Sequence, residues 1–211
     1  MNKVSSKEAC QMAIDLIETQ LRVLPISIAM LSSLSSSSDA AGPARIADTL
    51  QLNRKPRPAR TGSAAVIAAA DTGIETEPLL RFDLSAASRA LRDDPVQAIA
   101  YQRILVSNAL LAVGMFLKEN GISATRTPEV QFLGHVCNAI INANTFRIGA
   151  GYVPGASFDG LIIDSSLDGA RLFGDAAVDG FMTFGDAIAL LQRLAQYLQG
   201  TQEFVSGGDA G

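Results

Sequence analysis

The chain has 211 residues, of which 48% are hydrophobic and none is Trp, with a formal net charge of -4 and a pI near 5.0. That length can bury a sizeable single core and fits one domain over residues 1–211. The acidic balance excludes a protein held on nucleic acid by bulk charge, and without an uninterrupted apolar run of about 18 residues a membrane span is not expected.

The polar start, Met1 to Glu8, lacks the short apolar region of a signal peptide. Cys10 and Cys137 stand far apart, so the expectation is a reduced, cytoplasmic protein. Over residues 6–34, Ala9, Met12, Ala13, Leu16 and Ile17 recur at helical spacing behind Ser5 or Ser6 as a cap. Pro25 removes a backbone donor, so two helices or one bent helix would fit.

Residues 35–63 have the composition of a flexible or inserted loop, rich in Ser, Gly and Pro around a short helix-compatible piece from Ala44 to Leu52. Four cations, Arg54, Lys55, Arg57 and Arg60, cluster there. Such an arm could touch RNA phosphates by charge, although no aromatic stands beside it for base stacking; the plainer reading is a solvated, Pro-stiffened loop. Residues 63–78 give no clear pattern. Ser85 can open a short helix through Leu91, and Asp94-Pro95 then pairs an N-cap with Pro at the first helical position. The helix from 95 to 119 is apolar almost all round, which predicts the most buried element of a bundle or a subunit contact, and Asn120-Gly121 stops it.

The most informative stretch follows. After Pro128, Val130, Leu133, Cys137 and Ile140 form an apolar stripe widened by Phe132, Val136 and Ile141. Gln131, Gly134, His135, Asn138 and Asn142 fall on a second, polar or small stripe. The run Glu129-Val-Gln-Phe-Leu-Gly-His-Val-Cys-Asn-Ala-Ile-Ile-Asn-Ala-Asn-Thr-Phe-Arg147 resembles the signature helix of HEPN-type domains, helical bundles that include many prokaryotic toxin ribonucleases. In that family an Arg-Asn pair is followed by three residues and a His. Here Asn138 is kept, Cys137 stands at the Arg position, and Asn142 stands at the His position. The candidate cleft residues are therefore His135, Cys137, Asn138 and Asn142. Metal-free RNA cleavage needs an acid or base near neutral pH and a cation beside the phosphate. Asn supplies neither, Cys137 reads most simply as a small buried hydrophobe, and His135 is the only His in the chain.

Beyond Phe146 the period changes to short runs. Asp168-Gly169 between apolar segments predicts a two-stranded hairpin packed on the helices. Asp159, Asp164, Asp168, Asp175 and Asp179 invite a metal reading, but their spacing follows no calcium loop and Asp is common in turns. The Gly-rich segment Arg147 to Gly155 lacks the ending of a phosphate loop. Thr183 and Asp186 form a capping box for a last helix expected to stop at Gly200, with 201–211 as a mobile tail.

The expected fold is all-α or mainly α, a HEPN-like helical bundle on residues 6–34, 95–119, 129–144 and 184–199, with a small β-hairpin before the last helix. The resemblance implies a homodimer with signature helices facing one another. On this basis the chain is a degenerate HEPN-like protein with little nuclease activity, binding RNA or a partner protein in a prokaryotic defence or toxin–antitoxin setting. A non-enzymatic structural or regulatory dimer is the alternative. The third reading is an active ribonuclease using His135. No cofactor, metal or membrane is expected.

Overall fold

The computed structural model describes residues 5–36, 49–53, 79–124, 126–149, 155–175 and 177–207. Where the sequence suggests one domain, the chain packs as two compact units, Met1–Ser33 with Pro95–Gly211, and Leu34–Asp94.

In the larger unit, α1 (Ser6–Ser36) runs unbroken through Pro25. Ser5 caps it as expected, its Oγ accepting from Glu8 N–H at 3.2 Å. Ala9, Ala13, Ile14, Ile17 and Leu24 bury one face. Helix α3 (Pro95–Glu119) starts at the expected Pro, and Gly121 ends it with a φ of 73° that only Gly adopts without cost. It is not buried all round. Val106, Leu110, Val113 and Leu117 lie in the core, whereas Tyr101, Ile104 and Met115 are exposed. By length and composition its Val96–Glu119 stretch could cross a membrane, the one such helix among the described residues.

Helix α4 (Pro128–Ile141) buries Val130, Phe132, Leu133, Val136, Cys137 and Ala139. Each fully buried side chain of Leu, Val or Phe size contributes about 1.5–3 kcal/mol. Strands β3 (Ala156–Phe158) and β4 (Leu161–Ile163) pair antiparallel, Phe158 opposite Leu161. The hairpin turns at Asp159-Gly160, not at the expected Asp168-Gly169. Both turn residues have positive φ, 47° and 82°, as a two-residue turn matching strand twist requires. Phe132 meets Phe158 and Phe181 at 5.8 and 6.1 Å between ring centres, and Phe146 meets Phe181 edge-on at 5.3 Å. Those rings fasten the hairpin and the following loop to α4.

Helix α5 (Phe184–Gly207) opens with the expected capping box: Thr183 N–H donates to Asp186 Oδ2 at 2.7 Å, and Asp186 N–H donates to Thr183 Oγ1 at 3.2 Å. It does not stop at Gly200. That residue is not in the left-handed conformation a C-terminal Gly stop uses, so the helix includes residues 201–207 of the expected mobile tail. The molecule is thus mainly α-helical with a small late hairpin.

In the smaller unit, β1 (Thr49–Asn53) and β2 (Leu79–Asp83) pair antiparallel with Leu52 opposite Leu80, and α2 (Leu84–Asp93) follows with Leu91 buried. Residues Thr49–Leu52 are therefore strand rather than the end of a short helix. Alternation of Leu50 and Leu52 with polar neighbours accounts for this.

Candidate functional site

The polar stripe of α4 faces a groove shared with α3. Pro128 at the first helical position sets the start of α4, and an ion pair from Arg193 Nε to Glu129 Oε1 at 3.3 Å ties that end to α5. The core stripe faces the hairpin and α5, which leaves Gly134, His135 and Asn138 beside Met115 and Lys118 of α3 around a cavity of about 550 Å³. Ile141, expected to widen the core, is 70% exposed at its edge.

The four candidate residues have different fates. Cys137 forms the buried floor, where its Sγ donates to Leu110 O at 3.6 Å and burial pushes the thiol up to about 12. A Cβ on Gly114 would overlap that sulfur, so α3 and α4 cross closely here because one residue is Gly and the other small. His135 is half-buried, and loss of solvent lowers its pKa below the ordinary 6.5. It is a neutral imidazole at pH 7. Asn138 is exposed in the groove, while its backbone carbonyl accepts both Asn142 N–H at 3.0 Å and Asn142 Nδ2 at 2.8 Å. Asn142 thereby closes the helix and does not line the groove. The groove thus holds a neutral imidazole, amides and one Lys, the last beside Glu119.

The basic residues Arg54, Lys55, Arg57 and Arg60 lie outside the described residues. Among the described residues, no three His, Cys, Asp or Glu side chains converge to hold a metal. The acidic residues of the late loops serve the backbone. Asp164 accepts from the Ser166 hydroxyl and N–H, which hold its carboxyl below the usual range. Asp168 accepts from Ile148 N–H at 2.8 Å. Asp175 accepts from the N–H groups of Ala177 and Val178, which lower its pKa, and pairs with Arg171.

A second group was not visible in the sequence. After α4, Ala143 and Asn144 take left-handed φ values of 56° and 65°. This turn lets Asn144 hold Phe173 by both backbone groups, Oδ1 accepting from its N–H at 3.0 Å and Nδ2 donating to its carbonyl at 2.8 Å. Thr145 then bridges to Arg171. The result is a second cavity of about 620 Å³, between α3 and this turn, lined by Arg103, Ser107, Asn108, Thr145 and Arg171 among others. An Asn three residues past an apolar stripe is a weak turn signal. Nothing local links Arg103 to Arg171.

Comparison with protein-family models, with curated proteins and with solved structures returns no match.

Proposed function

We propose that this chain is a HEPN-like bundle that acts by binding and not by cutting RNA, and that the α3–α4 face is where a protein partner, in the first instance a second copy, docks. The observation that carries the reading is the state of Cys137. At the position where the resemblance calls for a cation there is a buried, protonated thiol against Gly114, and the chain has no room there for a guanidinium. His135, its pKa lowered by burial, is left as a lone imidazole base, and the capping Asn142 supplies no second acid or base where the resemblance calls for one.

The docking surface is supported by apolar exposure. Ile104, Leu111 and Met115 lie at i, i+7 and i+11 along one face of α3, with Ile141 of α4 beside the groove; Met115 is 59% exposed. Helix faces of this kind bury themselves against another helix. The polar groups between them, His135 and Asn138, suit a two-fold contact in which each side chain meets its own mate.

Sedimentation of the wild-type chain beside a Met115→Glu/Ile141→Glu variant tests this. The wild type should sediment as a dimer and the variant as a folded monomer, with no RNA cleavage by either. A monomeric wild type at about 100 μM, near the concentration where even modest interfaces associate, would remove self-association. RNA cleavage that disappears in His135→Ala would replace the binding reading with that of an active nuclease.

A further inference from the structure

We propose that the cavity between α3 and the turn after α4 binds a small organic oxyanion, one carboxylate or phosphate on an apolar body. Two guanidinium groups, Arg103 and Arg171, line it against the single carboxylate of Asp175, in a chain whose net charge is -4. Among the described residues Arg103 has no ion-pair partner, although it is half-buried. A guanidinium held partly out of water with nothing to neutralise it is a standing attraction for an anion. Ser107, Asn108 and Thr145 add hydroxyl and amide donors, and Ile104, Leu111 and Ile140 supply an apolar wall.

The negative end of α4 lies close by, which would oppose an anion. It is already answered: Asn138 O accepts from Asn142 N–H and Ala139 O from Thr145 N–H, each at 3.0 Å. The volume, about 620 Å³, is in the range that takes a small molecule. Asp175 occupies Arg171 in the free protein, so the incoming oxyanion competes with it for that guanidinium and meets Arg103 without competition. This site shares Ile104 and Leu111 with the proposed docking face but neither Met115 nor Ile141. A Met115→Glu/Ile141→Glu chain therefore keeps every residue of the cavity, and titrating it separates a failure here from a failure of the docking reading.

The experiment is an amide-resolved NMR titration of the full chain with phenyl phosphate, benzoate and inorganic phosphate, accompanied by calorimetry. Phenyl phosphate or benzoate should shift the amides of Ser107, Asn108 and Thr145 and bind about tenfold more tightly than inorganic phosphate, because the ring uses the apolar wall. Arg103→Gln should weaken binding by about tenfold or more, the usual effect of losing a charge-assisted contact. Asp175→Asn keeps the acceptor for Ala177 and Val178 but frees Arg171, and should tighten binding several-fold. Circular dichroism checks that each variant is folded. Absence of shifts at those three amides, equal affinity for inorganic phosphate, or unchanged binding by folded Arg103→Gln would each overturn the proposal.

Discussion

The two sides of α4 solve the same problem differently. On one side the hairpin, residues 164–175 and 177–182 and α5 cover the apolar groups: Phe132, Leu133 and Val136 are at most 1% exposed, and Phe132 is ringed by Phe158 and Phe181. The backbone there is answered residue by residue, Leu172 N–H by Asn144 O, Met182 N–H by Leu172 O and Phe181 N–H by Arg171 O. On the other side the same helix and α3 meet at a close crossing, and beyond it Met115 and Ile141 stand in water. Stability is concentrated on the covered side, and the open side is the one the proposed docking uses. A change should therefore hurt either folding or assembly according to the side it touches.

The largest effect is expected at Gly180. A Cβ there would overlap the backbone of Phe173 and Gly174, neither of which can step aside as a flexible side chain could. Gly180→Ala should cost more than about 3 kcal/mol, read as a fall in the urea midpoint or loss of folded protein. Next comes Asn144→Ala, which leaves Phe173 N–H and carbonyl without their partner. It should lower unfolding free energy by about 1–3 kcal/mol while the helical dichroism persists. On the open side, Met115→Glu/Ile141→Glu should change stability by no more than about 0.5 kcal/mol, as exposed substitutions do, while altering sedimentation. Loss of folding in that variant would erase the contrast between the sides.

The smallest effects are chemical. His135 has a pKa below its unfolded value of about 6.5, so the unfolded chain takes up the proton first. Its contribution is whole above pH 6.5 and shrinks as pH falls from there toward the folded pKa. His135→Gln should flatten the pH dependence of the melting temperature between about pH 6.5 and 5, above the range where carboxylates begin to titrate. Burial raises the pKa of both thiols, that of Cys137 to about 12. An aromatic disulfide reagent at pH 8 should leave both intact in the folded chain and titrate two after denaturation. Rapid labelling of Cys137 in the native protein would show that the α3–α4 crossing opens.

Local signals in the sequence were enough to place the four long helices. Pro95, Gly121, Ser5 and the Thr183–Asp186 box each act within one turn of their own helix and hold, whereas the break offered by Pro25 and the stop offered by Gly200 do not. The hairpin shows where locality ends. Two Asp-Gly pairs offer similar turns, and Gly169 also takes positive φ, 81°. The choice falls on Asp159-Gly160 because Ala156 and Phe158 flank it in phase and pack on α4. Ile141 was misplaced for a related reason: helical spacing puts it on an apolar flank of α4, but the hairpin and α5 are already filled by Phe132, Val136 and Ala139. The polar face of α4 was legible as a stripe, though not that Asn142 would be consumed in capping or that Gly114 would press on Cys137. Arg103 and Arg171 meet at one cavity only because the turn at Asn144 brings the late loop back beside α3. That is a tertiary fact with no trace in either arginine's neighbours.

The hydrogen bond from Gln102 Nε2 to Ser32 Oγ, 3.1 Å long, has a meaning for synthesis. It joins the end of α1 to the first turns of α3, the points where the larger unit is left at Ser33 and re-entered at Pro95. On the ribosome α1 emerges with its apolar face ready and its packing partners still unmade. At about 5–20 residues per second the intervening stretch of roughly 60 residues delays α3 by some 3–12 s. During that interval Ile14, Ile17 and Leu24 have only solvent, the smaller unit or a chaperone to meet, so the order of manufacture and the order of assembly differ in this chain.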